Sequence, residues 1–360
     1  MTGAATFVIA EAGVNHDGQL DLALRLVDAA AETGADAVKF QTFSARRMVC
    51  RDAPQAAYQR RAGNGGEGQY EMLRRLELDR AAHQALVAHC AERRITFLST
   101  PFDDASLDLL VAEIGVARLK LGSGELTHGP LLLRAAATGK PIILSTGMST
   151  LGEVEQALSV LALGYTRPEA APGRRAFGAA LAAEPGRRAL REKVVLLHCT
   201  SQYPAPVEDI NLRAMDTLAA AFGLPVGLSD HSAGIVVAIA AVARGAVMIE
   251  KHLTLERGLP GPDHAASLEP PEFQAMVDGI RAVEAALGRP AKQPAPGELE
   301  TRDVARKSLV AARPIAAGTR LSADDIAVKR PGTGLSPMAY WDLAGTVARR
   351  DYAAEEPLEP

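Results

Sequence analysis

Eight short apolar runs, each ending in polar or charged side chains, alternate with segments of helical periodicity over the first 290 residues. Such a run, bounded by turn residues, is typical of a buried parallel strand. Strands that alternate with helices form a parallel sheet, and eight units in this length favour an α/β fold, a closed (β/α)8 TIM barrel. A doubly wound open sheet is the alternative, but it would gather polar residues at one switch point and not at every strand end.

Two of these runs, 225–231 and 247–252, end in histidines, His231 and His252. A small apolar helix is predicted between them, so the two strands form one strand–helix–strand unit. Neighbouring parallel strands lie about 4.8 Å apart, which lets both imidazoles reach one ion. Neutral imidazole suits first-row divalent metals. The alternative is that both histidines only satisfy polar groups at the strand ends.

The other strand ends predict a receptor for an anion. The carboxyl ends of all barrel strands meet at one mouth, where lysines, hydroxyls and backbone N–H groups would bind phosphate or carboxylate. Acids at the same mouth could bind hydroxyl groups or transfer protons. This combination predicts an addition or elimination on a phosphorylated small molecule. The cationic and hydroxyl residues are Lys39, Ser99, Thr100, Lys120, Ser123, Ser145 and Ser229, and the acids are Glu11, Glu125, Glu250 and Asp263.

Two other functions stay open on the residues alone. A Schiff-base aldolase is the first, because Lys120 lies on a middle strand; paired histidines would have no purpose in such a site. A non-catalytic sugar-binding or ice-binding module, formed by the C-terminal segment, is the second. It would leave the polar barrel mouth unexplained.

Composition and charge limit the partners and the cellular compartment that we expect for the protein. The net charge of −4 gives no electrostatic case for nucleic acid or an anionic membrane, and no apolar run approaches the length of a membrane span. The N-terminus lacks the basic start of a signal peptide. Cys50, Cys90 and Cys199 are odd in number and scattered, which fits a reducing cytoplasm. We predict that Cys199 is a small buried strand residue and not a nucleophile.

Three segments interrupt or follow the barrel pattern. The polar segment 44–77 is too long for a plain connection and predicts a functional loop that places Tyr58, Gln59, Gln69 and Tyr70 over the mouth. The segment 164–191 predicts one or two short helices. After a Pro-rich stretch, the tail changes to short β-like runs. We therefore predict a barrel over 1–290, a linker over 291–305 and a small β-rich domain over 306–360.

The ordered motifs resemble the sialic acid synthase family over essentially the whole chain, and the tail, with Lys329-Arg-Pro-Gly332, resembles its antifreeze-like (SAF) domain. Some stretches are more similar to the N,N′-diacetyllegionaminic acid branch, among them Tyr203-Pro-Ala-Pro206 and Asn211-Leu-Arg-Ala-Met215. Ser201 is a departure, because N-acetylneuraminate synthases tend to have Asn there. The family motifs are Ile9-Ala-Glu-Ala-Gly-Val-Asn-His16, Val38-Lys-Phe-Gln-Thr42, Leu98-Ser-Thr-Pro-Phe102, Leu121-Gly-Ser-Gly-Glu125, Ile143-Leu-Ser-Thr-Gly-Met148, Leu197-His-Cys-Thr200, Leu228-Ser-Asp-His231 and Glu250-Lys-His252.

This resemblance implies a transferase that condenses phosphoenolpyruvate, 2,4-diacetamido-2,4,6-trideoxymannose and water to N,N′-diacetyllegionaminic acid and phosphate, with C–O cleavage. N-acetylneuraminate synthesis from N-acetylmannosamine is the alternative. It also implies a divalent metal, Mn²⁺ first with Mg²⁺ or Co²⁺ as alternatives, and a domain-swapped homodimer.

The family's site residues carry over to particular positions of this sequence. The resemblance implies that the metal ligands are His231 and His252. Glu11 lies near the reacting carbons, and either it or Glu125 would orient the attacking water. The implied phosphoenolpyruvate contacts are Lys39, Thr100, Lys120, Ser123, Ser145 and Ser229, and the sugar contacts are Gln41, Glu125, Tyr203, Asp263 and, from the partner subunit, Arg330.

Overall fold

The computed structural model describes residues 5–55 and 68–360 and divides the chain into two compact units, Met1–Gly288 and Arg289–Pro360. In the first unit, each of eight parallel strands lies beside its neighbour in sequence, and β1 pairs with both β2 and β8. The strands are β1 Phe7–Gly13, β2 Ala37–Thr42, β3 Thr96–Pro101, β4 Leu119–Leu121, β5 Ile142–Ser145, β6 Val194–Cys199, β7 Val226–Asp230 and β8 Met248–His252.

The interior of this sheet shows that it closes into a barrel. Side chains from six strands pack together in one apolar cluster: Ile9, Ala37, Leu98, Ile143, Leu197 and Met248. An open sheet would keep the side chains of β3 and β6 apart, whereas a barrel brings them to one axis. The predicted (β/α)8 TIM barrel is confirmed.

Helices connect the strands and cover the outside of the barrel. Asp103 begins one of them, because its carboxylate accepts from the N–H groups of Ala105 and Ser106. Thr150 and Glu153 form a reciprocal capping box at another. The helices of the described residues are α1 Leu20–Glu32, α2 Ala45–Met48, α3 Gln69–Leu76, α4 Arg80–Arg93, α5 Asp104–Asp108, α6 Gly129–Ala137, α7 Leu151–Thr166, α8 Arg174–Ala182, α9 Glu184–Lys193, α10 Arg213–Phe222, α11 Val236–Ala243, α12 Pro270–Leu287, α13 Glu298–Ala305 and α14 Tyr340–Leu343.

The segment 44–77, predicted as a polar loop, contains the helices α2 and α3. Met72, Leu73 and Leu76 of α3 are buried and pack against a cluster that includes Val14 and Phe43. A helix of eight residues has too few turns for its periodicity to be recognised within a Gly- and Arg-rich segment. Tertiary packing, and not its own helix propensity, stabilises it. Tyr58 and Gln59 lie outside the described residues.

The segment 164–191 forms two helices, α8 and α9, and both pack against α7. This outcome agrees with the prediction of one or two short helices. None of the helices in the described part of the chain is both long and apolar enough to cross a membrane.

The second unit has its own sheet and its own core. Strand β9, Ser308–Ala311, pairs antiparallel with β10, Ile326–Lys329. The segment predicted as a linker, 291–305, includes the exposed helix α13. That helix lacks an apolar face, so its sequence gave little helical signal. The buried residues of the second unit include Leu309, Ile315, Leu321, Ile326, Tyr352 and Leu358.

Candidate active site

A cavity of about 460 Å³ opens at the carboxyl ends of the barrel strands. Nearly every predicted site residue lines it, because inward-facing side chains at the ends of a parallel barrel converge on one mouth. They are Glu11, Lys39, Gln41, Thr100, Lys120, Ser123, Ser145, Tyr203, Ser229, His231, Glu250, His252 and Asp263.

Two predicted residues of the barrel, Ser99 and Glu125, do not line this cavity. Ser99 was predicted at the mouth but points out of the barrel, where its hydroxyl lies 2.6 Å from Thr42 Oγ1. This prediction was wrong because successive strand residues face opposite sides, and Thr100 takes the inner position. Glu125 lies half-buried in a 3₁₀ turn after β4. Arg330 is an exposed residue of the second unit, directly after β10.

Glu250 lies between the two buried lysines of the cavity. Its carboxylate is 3.7 Å from Lys39 Nζ and 3.4 Å from Lys120 Nζ, and Ser229 Oγ donates to it over 2.8 Å. Burial favours the neutral acid, but Lys120 and Lys39 outweigh it and hold the pKa of Glu250 at about 2. Glu250 is therefore ionised and keeps the two ammonium groups together in a buried site.

Glu11 forms the second carboxylate of the cavity. Lys39 Nζ lies 2.6 Å from Glu11 Oε2, and Gln41 Nε2 donates to Glu11 Oε1 over 3.3 Å. Burial raises the pKa of Glu11 to about 7, against the opposing effect of Lys39. A carboxyl that titrates near neutral pH is suited to accept and return a proton.

Hydroxyls line the side of the cavity near β4 and β5, and a backbone N–H supports one of them. Lys120 Nζ donates to Ser145 Oγ over 2.7 Å, and the Gly147 N–H donates to Ser123 Oγ over 2.9 Å. A Cβ at position 147 would collide with the Ser201 and Ser123 hydroxyls. Only glycine lets the backbone approach this closely, and the arrangement resembles the donor sets that bind anions.

The two histidines lie side by side, with ring centroids 5.4 Å apart. His231 Nδ1 donates to the Thr200 carbonyl over 2.8 Å, which leaves the lone pair on Nε2. The buried His252 Nδ1 has no hydrogen-bond partner within 5–55 and 68–360. Burial, together with His231, holds the pKa of His252 well below its ordinary value, so this ring is neutral. The Tyr203 ring lies 4.2 Å from that of His231, centroid to centroid.

This donor set fits a divalent cation held by few protein ligands. His231 shows the arrangement of a metal-ligating histidine, in which one ring nitrogen donates to a carbonyl and the other is left for the ion, and the unpartnered nitrogen of the neutral His252 lies beside it. No group of three or more His, Cys, Asp or Glu side chains suited to a metal occurs among the described residues. The pair would leave the remaining coordination positions to water or substrate.

Three features of the cavity were missed or left without a role by sequence reasoning. Glu250 was predicted, with the other acids, to bind hydroxyl groups or transfer protons, but its position between Lys39 and Lys120 was missed. Cys199 is buried in β6 as predicted, and its Sγ also lines the cavity 3.7 Å from His231 Nδ1. Ser229, which pairs with Cys199 in the ladder between β6 and β7, faces inward, and this register indicates the same direction for Cys199. The helix α3 adds Gln69 and Met72 to the wall; Gln69 belongs to the segment predicted to lie over the mouth, whereas no signal in the sequence predicted Met72.

Comparison with known proteins identifies the family. The model of the NeuB family matches residues 26–292, and that of the SAF domain matches residues 306–360. The chain belongs to the NeuB family. The resemblance predicted from the motifs is confirmed, including a SAF domain after the barrel.

Two relatives match over nearly their full lengths. The chain is 43% identical over 351 residues to N,N′-diacetyllegionaminic acid synthase of Campylobacter jejuni, covering 98% of each chain. It is 44% identical over 340 residues to the Legionella pneumophila protein of the same name, covering 94% of this chain and 89% of that one. A crystal structure of N-acetylneuraminic acid (sialic acid) synthetase from Leptospira borgpetersenii is 32% identical, with a TM-score of 0.66 and coverage of 83% and 90%.

Proposed function

We propose that this protein is an N,N′-diacetyllegionaminic acid synthase. It joins phosphoenolpyruvate to 2,4-diacetamido-2,4,6-trideoxymannose, consumes one water and releases inorganic phosphate. The observation that carries the proposal is the buried Lys39–Glu250–Lys120 group, which shares one cavity with His231 and His252. The two relatives at 43% and 44% identity support the choice of sugar.

The lysines and hydroxyls bind phosphoenolpyruvate. Lys39 and Lys120 hold its carboxylate and phosphate, and the Ser123 and Ser145 hydroxyls and the Gly147 region add neutral donors. Burial lowers the pKa of Lys120, and Glu250 opposes this change. The ionised Glu250 therefore favours the ammonium form of Lys120, which is the form that pairs with an anion.

His231 and His252 hold a divalent cation, with Mn²⁺ expected first and Mg²⁺ or Co²⁺ as alternatives. When bound, such a cation supplies Lewis-acid polarisation of a carbonyl oxygen. Gln41, Tyr203 and Asp263 lie around the same part of the cavity and orient the hydroxyl and acyl groups of the sugar.

The reaction forms one carbon–carbon bond. C3 of phosphoenolpyruvate attacks the aldehyde carbon of the open-chain sugar, water adds to C2, and the C2–O bond to phosphate breaks. Glu11 orients that water and accepts its proton. Glu11 is preferred over Glu125 because it lines the cavity and has a pKa of about 7.

A Schiff-base aldolase is disfavoured by the carboxylate contacts of both lysines, which at Lys120 oppose the burial that lowers its pKa. Each lies within 4.0 Å of a carboxylate, Lys39 of Glu11 and Glu250 and Lys120 of Glu250. An amine must be neutral to attack a carbonyl, and these contacts stabilise the charged form. Borohydride with substrate present is therefore expected to leave the enzyme active, and a chelator is expected to abolish activity that Mn²⁺ restores.

Phosphate release from phosphoenolpyruvate tests the choice of sugar. We expect higher kcat/KM with 2,4-diacetamido-2,4,6-trideoxymannose than with N-acetylmannosamine. The 32% identity to the Leptospira N-acetylneuraminic acid synthetase is what keeps N-acetylneuraminate synthesis as a second candidate. Preference for N-acetylmannosamine would establish that second function, and no phosphate release with either sugar would refute both.

We further propose a homodimer in which the C-terminal unit of one chain completes the active site of the other. Arg330 is the residue expected to reach the sugar, since its planar group of donors suits an acyl carbonyl or hydroxyl. A cytoplasmic location is also proposed, supported by the unpaired Cys50, Cys90 and Cys199.

A further inference from the structure

A buried ion pair lies directly behind the two histidines. Lys251 Nζ is 2.7 Å from Asp230 Oδ2, and both side chains are at most 1% exposed. Asp230 precedes His231 in the chain, and Lys251 precedes His252. In the ladder between β7 and β8, Asp230 and Lys251 are register partners. Since successive residues of a strand face opposite sides, the pair occupies the outer face and the histidines the inner one.

The ion pair is hydrogen-bonded to Ser232, the residue that follows His231. Asp230 Oδ1 accepts from Ser232 N over 2.9 Å and from Ser232 Oγ over 2.7 Å. Lys251 Nζ also donates to the Ser232 carbonyl over 2.5 Å. Asp230 and Ser232, the residues on either side of His231, are thus hydrogen-bonded to each other and to Lys251, which precedes His252.

The energetics of such a pair favour a geometric role. Desolvation of two charges offsets most of their attraction, so a buried ion pair gives little net stability over an apolar pair of similar volume. Its charge-assisted hydrogen bonds are directional, however, and fix the distance between the two strand ends. On the inner face, Ser229 and Glu250 connect the same strands one residue earlier.

We propose that Asp230 and Lys251 are positioning residues that set the spacing and orientation of His231 and His252 for a divalent cation. This inference rests on the proposed function, in which those histidines hold the metal. Neither residue touches the cavity. Their effect therefore passes through the backbone of the two ligands, as it does for groups that support metal ligands from behind.

The test is the double variant Asp230→Asn/Lys251→Met, which removes both charges, keeps side-chain volume and retains an acceptor for Ser232. Mn²⁺ affinity is measured without substrates, from the electron paramagnetic resonance signal of unbound Mn²⁺. We expect affinity to fall about 10–100-fold and kcat to fall with it, while KM for phosphoenolpyruvate stays unchanged because Lys39 and Lys120 are intact.

The matched control is Asp36→Asn/Arg281→Met. These two residues form an ion pair of 3.1 Å at the opposite end of the barrel. The same chemical change there is expected to alter thermal stability without altering Mn²⁺ affinity. If the Asp230/Lys251 double variant does not fold, Asp230→Asn alone is used, and it too is expected to weaken Mn²⁺ binding.

The outcomes separate this inference from the proposed function. Wild-type protein that binds Mn²⁺ and a folded variant that binds it equally well would overturn the positioning role and leave the function standing. Wild-type protein that binds no Mn²⁺ and stays active in chelator would refute the metal assignment, and the positioning role with it. Affinity lost in both the variant and the control would show a general loss of rigidity and would also overturn the inference.

Discussion

At the scale of single residues, Glu11 determines the expected pH dependence. Its carboxyl has a raised pKa of about 7 in the ligand-free protein, so the protonated form dominates below that pH. If the carboxylate accepts the proton of the attacking water, kcat/KM rises with pH up to about 7 and then levels off. Glu11→Gln is expected to lose about 10²–10⁴-fold in rate and to lose this acidic limb.

Glu125→Gln serves as the comparison for Glu11. It is expected to keep the acidic limb, because Glu125 does not line the cavity. A limb that persists in Glu11→Gln would contradict the assignment. It would then belong to another group of the site, such as Asp263, whose pKa burial raises to about 6.

Glu250 predicts a second effect on the pH profile. Burial lowers the pKa of Lys120, and Glu250 is the largest opposing influence. Glu250→Gln removes that influence, so Lys120 loses its proton at lower pH and phosphoenolpyruvate binding weakens there. The alkaline limb of kcat/KM for phosphoenolpyruvate should move to lower pH. An alkaline limb at the wild-type position would show that Lys120 does not depend on Glu250.

The sequence predicted which residues converge at the mouth but not how they pair. Strand ends are visible as polar residues after apolar runs, which is why Lys39, Lys120 and the histidines were found. The hydrogen bond that fixes the tautomer of His231 is accepted by the Thr200 carbonyl, directly after β6. Such contacts depend on three-dimensional register, which one sequence does not specify.

At the scale of elements, Gly227 shows how tightly β7 packs inside the barrel. A Cβ there would collide with the Met248 carbonyl of β8 and with the Leu197 side chain of β6. Gly227→Ala must therefore push β7 away from its neighbours. Overpacking of this kind costs about 1–3 kcal/mol, which a lowered Tm and a lower denaturant midpoint would report.

Gly178→Ala is the matched control for the variant Gly227→Ala. Gly178 lies within the helix α8, and a Cβ there meets no atom within 4 Å. Because alanine favours a helix over glycine, stability should rise by about 1 kcal/mol. Equal stability of Gly227→Ala and wild type would mean that the β7–β8 contact relaxes without cost.

Elements were predictable where their own residues decide the conformation. The barrel strands are short apolar runs, which are typical of buried parallel strands. Asp103 has a short carboxylate side chain, which is suited to accept from the first N–H groups of a helix. The helix α3 was not predictable, because Met72 and Leu73 become meaningful only against Val14 and Phe43 from distant segments. The exposed helix α13 gave no apolar pattern to detect.

At the scale of the whole molecule, the C-terminal unit is small and separately folded. Its core contains only a few large side chains, among them Leu309 and Tyr352. A core of this size gives marginal stability by itself, so association with a larger surface would stabilise it. Arg330 is exposed beside Lys329, which is itself paired to Glu355 over 2.5 Å. This arrangement leaves a cationic group at the end of β10 for a ligand or partner.

Complementation between subunits tests whether this unit serves the partner's barrel. His252→Ala removes a metal ligand from the barrel, and Arg330→Ala removes the cation from the C-terminal unit, so each homodimer should be inactive. After subunit exchange, a heterodimer with shared sites contains one site with both residues intact, and a fraction of wild-type activity should return. Arg349→Ala, which changes another exposed arginine of the same unit, should remain active alone. If fully exchanged mixtures of the first two variants stay inactive, each C-terminal unit serves its own barrel.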